Sequence, residues 1–243
     1  MLQSPHSIRR ITFRVACALM SCIVQFQGTA QDISKEELLG KFVPADHPDF
    51  VRLTPTEANR NELYLRKEVR DAFARMQEAA AKDGISLTIL SATRNFEYQK
   101  GIWERKWDLP KYSGWSSERK ARDILNYSSM PGSSRHHWGT DIDFNSVELR
   151  YWQSVTGKKV YAWLRTRAEE FGFCQTYTDK SAGRTGYEEE QWHWSYFPLS
   201  IHYLVEYNRQ VRYDDLNGFS GAIEAERIRL IEDYVNGVGC GKN

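Results

Sequence analysis

The 243-residue sequence predicts an α+β fold. Two observations carry this. Segments with a helical apolar period and segments with a strand-like pattern do not alternate regularly, which argues against a doubly wound parallel sheet. The composition, 41% hydrophobic and 27% charged, is that of a globular chain large enough to bury a core without staples.

The elements follow in order. Residues 31–61 hold Pro44, Pro48 and Pro55 and read as an ordered but irregular lead-in. Leu63, Leu65, Val69, Phe73 and Met76 recur near a 3.6 period and predict a helix over Glu62–Asp83, stopped by Gly84. Ile85–Leu90 alternates and is rich in strand formers. Phe96–Trp107 and Ser116–Asn126 read as helices, and Ser128–Ser134, with Pro131, Gly132 and its serines, as a loop. Asp141–Phe144 is a short strand, Lys158–Phe171 a helix, Phe173–Tyr177 a strand, Ser181–Gly186 a loop and Trp192–Phe197 an aromatic strand. Helices are expected over Ile201–Arg209 and Ala222–Val235, and no internal repeat is visible.

The first 30 residues stand apart. Arg9, Arg10 and Arg14 precede an apolar run from Val15 to Phe26, and Gly28-Thr29-Ala30 supplies small residues before a cut after Ala30. These are the three parts of a secretory signal, and the run is too short to span a bilayer comfortably. The expected organisation is therefore a signal over residues 1–30 and a single domain over 31–243, exported to the periplasm or cell envelope. A buried N-terminal helix and a lipid anchor at Cys22, after Leu19-Met20-Ser21, are the alternatives. Removing the signal takes three arginines and no acid, leaving 30 basic and 32 acidic side chains, a net charge of −2. No basic block remains, so nucleic acid is not an expected partner. Nor is stable membrane insertion expected after cleavage. Cys174 and Cys240 remain, and in an oxidising compartment either form a bridge or stay as two thiols.

Chemistry concentrates in two stretches. In Ser134-Arg-His136-His-Trp-Gly139-Thr-Asp141-Ile-Asp143 a histidine follows a loop, a carboxylate sits seven residues later, and Gly139 permits a tight reversal between them. Glu188-Glu-Glu190-Gln-Trp192-His193-Trp194 adds an imidazole with an acid three residues before it. Two histidines and one aspartate match the three protein ligands of a catalytic zinc. Glu190 is placed to act as a base that does not bind the metal. Trp138, Trp192 and Trp194 flank these residues and either wall a cleft or pack in the core, whereas Trp163 reads as core. His137 is expected to point away from its neighbour.

Ser134-x-His136-x-x-Gly139-x-x-x-Asp143 followed by Glu190-x-Trp192-His193 resembles the signature of the zinc D-alanyl-D-alanine carboxypeptidases and dipeptidases, a family related in fold to lysostaphin-type peptidases and the Hedgehog signalling domain. Ser91-Ala-Thr-Arg94, with Gln99 five residues after the arginine, resembles a third family element. The three motifs stand in family order, and the similarity spans Tyr64 to Tyr196. The resemblance implies a small antiparallel sheet carrying one zinc ion per chain, held by His136, Asp143 and His193. It implies Glu190 as general base and later acid, Arg94 facing the oxyanion, and Ser134 and Gln99 lining the substrate site. The implied activity is D,D-carboxypeptidase, with peptidoglycan peptides as substrate partners. An L,D-carboxypeptidase, a D-Ala-D-Ala dipeptidase, a cell-wall endopeptidase on the same site and a non-catalytic zinc-fold binding module are the alternatives. Asp141 departs from the family's small residue at that position and is expected to add an outer contact or to serve as an alternative ligand. The motifs leave the oligomeric state open.

Overall fold

Alternate residues of two paired strands organise the fold: one set enters the core and the other set carries the polar site. A computed structural model describes residues 33–240, together with Met1. The signal reading of residues 1–30 and the anchor at Cys22 lie outside the described residues.

After a short α1 (Lys35–Leu38), opened by a Ser34–Glu37 capping box, β1 (Phe50–Arg52) and β2 (Tyr64–Arg66) form an antiparallel ribbon with Val51 opposite Leu65. Then come α2 (Lys67–Lys82), β3 (Ile89–Ser91), α3 (Phe96–Trp107), α4 (Ser117–Ile124), β4 (Asp141–Phe144), α5 (Leu149–Gln153) and α6 (Val155–Arg167). The chain continues through β5 (Phe173–Gln175), β6 (His193–Tyr196), α7 (Phe197–Gln210) and α8 (Glu224–Ile228). The main sheet has the order β3-β4-β6-β5, with every neighbouring pair antiparallel. This is the α+β class read from the sequence.

Ile142, Phe144, Phe173, Trp194 and Tyr196 share a buried cluster with Val69, Phe73 and Met76 of α2 and Val160, Trp163 and Leu164 of α6. Burial of each large apolar side chain contributes about 1.5–3 kcal/mol. Because side chains alternate along a strand, Asp141, Asp143, His193 and Ser195 belong to the other face. A second cluster, including Trp103, Ile124, Trp138, Tyr203, Tyr207 and Ile228, gathers residues from α3, α4, α7 and α8.

The differences from the sequence reading have local causes. The helix over Glu62–Asp83 begins only at Lys67, because Tyr64–Arg66 pairs with β1 and Glu62 sits at φ 63°. The strand over Ile85–Leu90 shrinks to Ile89–Ser91. The Asn145 side-chain oxygen accepts from the Thr88 amide in place of a strand partner. α6 starts at Val155 because Ser154 caps it, accepting from the Gly157 amide at 3.0 Å. The last helix is interrupted at Arg229, φ 60°, and resumes as a π-helical turn over Leu230–Val235. Cys174 and Cys240 are bonded, with Cα atoms 5.7 Å apart, tying the C-terminal segment to β5. No helix among the described residues is long and apolar enough to cross a membrane.

Candidate metal centre

The loop ahead of β4 is held by one histidine. The Gly132 amide donates to His137 Nε2 at 3.0 Å, so the proton of this imidazole lies on Nδ1, which donates to the Arg94 carbonyl at 2.7 Å. Burial pushes His137 down to about 3, so it stays neutral and locks the loop to the segment leading into α3. It therefore faces away from its neighbour His136, as expected, but as a buried tie. A 3₁₀ turn over Arg135–Trp138 ends at Gly139, φ 73°, where a β-carbon would lie 2.4 Å from the Phe50 ring. Only glycine permits that reversal into β4.

Two imidazoles converge from this turn and from β6. His136 Nδ1 lies 2.8 Å from the Ala92 carbonyl, which can only accept, so the Nε2 lone pair is free. His193 Nε2 lies 2.9 Å from Asp141, which leaves its Nδ1 lone pair free. Asp143, opposite His193 in the β4–β6 register, stands between them: 3.3 Å from His136 Nε2 and 3.2 Å from His193 Nδ1. Ligand atoms of His136, Asp143 and His193 all lie within 4.8 Å of one another, and all three residues are buried. Among the described residues, His136 Nε2 and Asp143 Oδ1 have no hydrogen-bond partner. Buried orphan acceptors are costly, and a shared cation would satisfy both. The donor set of two imidazoles and a carboxylate fits zinc.

The electrostatics agree. Burial works against the His193 cation, but hydrogen bonds to Asp141 and Asp143 outweigh it and raise the group to about 9. Burial would raise Asp143, yet His136 and His193 hold it well below the usual carboxylate range. The cluster thus attracts positive charge, whether protons or a metal. Glu190, 3.5 Å from His193 Nδ1, is pushed up to about 8 by burial, with His193, Arg94 and Lys106 pulling it back only in part. Arg94 Nη2 lies 3.6 Å from Asp143, and its Nε has no hydrogen-bond partner among the described residues.

Asp141 is an outer contact. Its Oδ1 accepts from His193 Nε2 and, at 3.0 Å, from Arg135 Nε; its Oδ2 accepts from Thr140 at 2.6 Å and Ser195 at 3.0 Å. Burial opposes its charge, but Arg135 and His193 hold it well below the ordinary range. Asp141 fixes the tautomer and ring orientation of His193, a role that typically alters metal affinity by about 10- to 100-fold. Asp141→Ala is expected to weaken zinc binding by about that factor in a chelator competition. It is also expected to cost about 3–5 kcal/mol in urea unfolding, because Arg135, itself buried, loses its counter-charge. Adding Arg135→Met should restore part of the stability but not the affinity.

A cleft of about 690 Å³ opens onto the centre and is lined by Arg94, Lys106, Ser128, Asp143, Glu190 and Trp192, among others. Ser134 and Gln99 are buried and are not among its lining residues. The Gln99 amide donates to the Ser129 carbonyl at 2.8 Å. Trp192 lines the cleft and also packs in the first core cluster with Trp163 and Trp194, whereas Trp138 packs in the second. Sequence reasoning did not single out Lys106, Ser128 or Arg135. The signal for Lys106 was available: it lies seven residues after Gln99 in α3, hence on the same helical face.

The matches to known proteins agree with this site. The family model described as VanY, D-alanyl-D-alanine carboxypeptidase, covers residues 62–199. A putative carboxypeptidase, YodJ of Bacillus subtilis (strain 168), is 33% identical over 146 residues, which is 58% of this chain and 49% of that protein. The chain thus spans about half the length of that curated relative. Among solved structures, VanYB in complex with D-alanine-D-alanine is 25% identical with a TM-score of 0.50, covering 70% of this chain and 93% of its own. The vancomycin resistance D,D-pentapeptidase VanY from the VanB-type cassette, in complex with Zn(II), shares the fold at 24% identity and TM-score 0.51. That match covers 69% of this chain and 88% of its own.

Proposed function

The chain belongs to the D-alanyl-D-alanine carboxypeptidase family, and from that premise we propose that it is a zinc-dependent D,D-carboxypeptidase that releases the terminal D-Ala of peptidoglycan stem peptides. The observation that carries this reading is the convergence of two imidazole lone pairs and the Asp143 carboxylate, with orphan acceptors aimed at one point. His136, Asp143 and His193 would hold the zinc. When bound, zinc polarises a water molecule and lowers its pKa to about 7.

The remaining steps belong to the side chains. Glu190 is next to the ligands and, among the described residues, its carboxylate makes no hydrogen bond that would occupy it, so it takes the proton of the attacking water and returns it to the leaving amine. Its burial keeps the carboxyl basic enough for both transfers. Arg94, a fixed cation on the cleft wall, faces the carbonyl oxygen as charge develops there. Gln99 and Ser134, being buried, are assigned to the substrate site as supports of the loop that borders the cleft: Gln99 binds Ser129, next to the lining residue Ser128.

The same reading places the enzyme outside the cytoplasm, exported by residues 1–30 to the periplasm or cell envelope. The Cys174–Cys240 bond supports an oxidising compartment.

Incubation with defined tri-, tetra- and pentapeptides tests the activity. The expected result is loss of one D-Ala from the pentapeptide, abolished by a chelator and restored by zinc. A zinc-loaded protein that releases no D-Ala from any of them overturns it.

A further inference from the structure

The cleft holds a cation that the metal cluster does not use. Lys106, partly buried on α3, donates to the Ser128 hydroxyl, and both line the same cleft as Arg94, Asp143 and Glu190. Among the described residues no carboxylate is paired with Lys106, whereas Arg94 leans on Asp143. An ammonium has three protons to donate, and Ser128, accepting one of them, keeps its own hydroxyl proton. Lys106 and Ser128 thus offer donor protons in the cavity that both line; Glu190 lines it too and favours the ammonium through its charge, but no ion pair joins the two among the described residues. Burial of the ammonium disfavours its charge, as the lowered pKa of Lys106 reflects. A ligand anion would offset that cost.

We propose that Lys106 and Ser128 anchor the free terminal carboxylate of the substrate, so that exopeptidase selectivity comes from charge recognition at this pair. The proposal rests on the carboxypeptidase reading for its substrate. It adds a division of labour: Arg94 is occupied with Asp143 and the reacting carbonyl, and Lys106 holds the chain end. Arg150 also lines the cleft but is exposed, so water competes with it for any anion.

The test compares a pentapeptide ending in a free carboxylate with the same peptide ending in a carboxamide. Wild-type enzyme is expected to prefer the acid. Lys106→Met should collapse the acid-to-amide ratio of kcat/KM by about 10- to 100-fold, the worth of a hydrogen bond to a charged group. The loss should appear mainly in KM, Lys106→Arg should restore much of the ratio, and Arg150→Gln should keep it. Calorimetric titration of D-Ala-D-Ala and its amide reads the same preference without turnover. An unchanged ratio in Lys106→Met, or equal losses on acid and amide, overturns the anchor. Wild-type protein that binds the dipeptide acid through Lys106 but cleaves nothing would retain the anchor and remove the hydrolytic reading instead.

Discussion

Glu190→Gln is expected to lower turnover by about 100- to 10,000-fold while the protein keeps one zinc per chain. The substitution preserves shape and removes only the ability to take and return a proton. Glu190 is 5% exposed, so water cannot readily substitute for it as a base at that position. Its carboxylate stands 3.5 Å from His193 Nδ1, close enough to serve a molecule at the shared point yet outside the three-residue ligand group. Metal analysis and D-Ala release on one preparation check both halves. Turnover within tenfold of wild type would remove Glu190 from the reaction. Loss of zinc would make it a ligand.

Asp143→Ala is expected to abolish both zinc retention and activity. Asp143 is the bridge of the group, within 3.3 Å of His136 and 3.2 Å of His193, and it supplies the negative charge that draws a cation between the two rings. Without it, two imidazoles and the positive charge of Arg94 face one another, and a divalent ion has lost its charged ligand. The readout is thermal: ligand that binds only the folded state raises the midpoint in proportion to its affinity. Wild-type protein should show a zinc-dependent rise in Tm, and the variant none at equal zinc. A variant that is folded without metal and still shifts like wild type would show that the ion is held elsewhere.

The ligand set was legible because its spacing is local. Seven residues with a glycine between them bring His136 and Asp143 together, and the acid three residues before His193 follows the same logic. What was not legible depends on register. Asp141 becomes the partner of His193 only because β4 and β6 pair with Asp143 opposite His193, a relation between segments some 50 residues apart. Leu63 and Leu65 fit a helical period as well as a strand, and only β1 lying alongside decides between them. For Gln99 motif matching gives position, not orientation: its amide nitrogen donates to the Ser129 carbonyl of the loop that borders the cleft. Lys106 was hidden for the opposite reason: a lysine on a helix reads as solvated until the 128–129 loop is seen against it.

The bond between Cys174 and Cys240 bears on how firmly β6 is held. It closes a loop across 66 positions that includes β6 with His193, and in the chain-entropy view it is worth about 4 kcal/mol against the unfolded ensemble. A chain still in a reducing interior lacks that contribution, so its C-terminal clasp on β5 would open more readily and the strand beneath His193 would be less well braced. Reduction of that bond would therefore be felt at the metal site, through the pairing of β5 with the strand that carries His193.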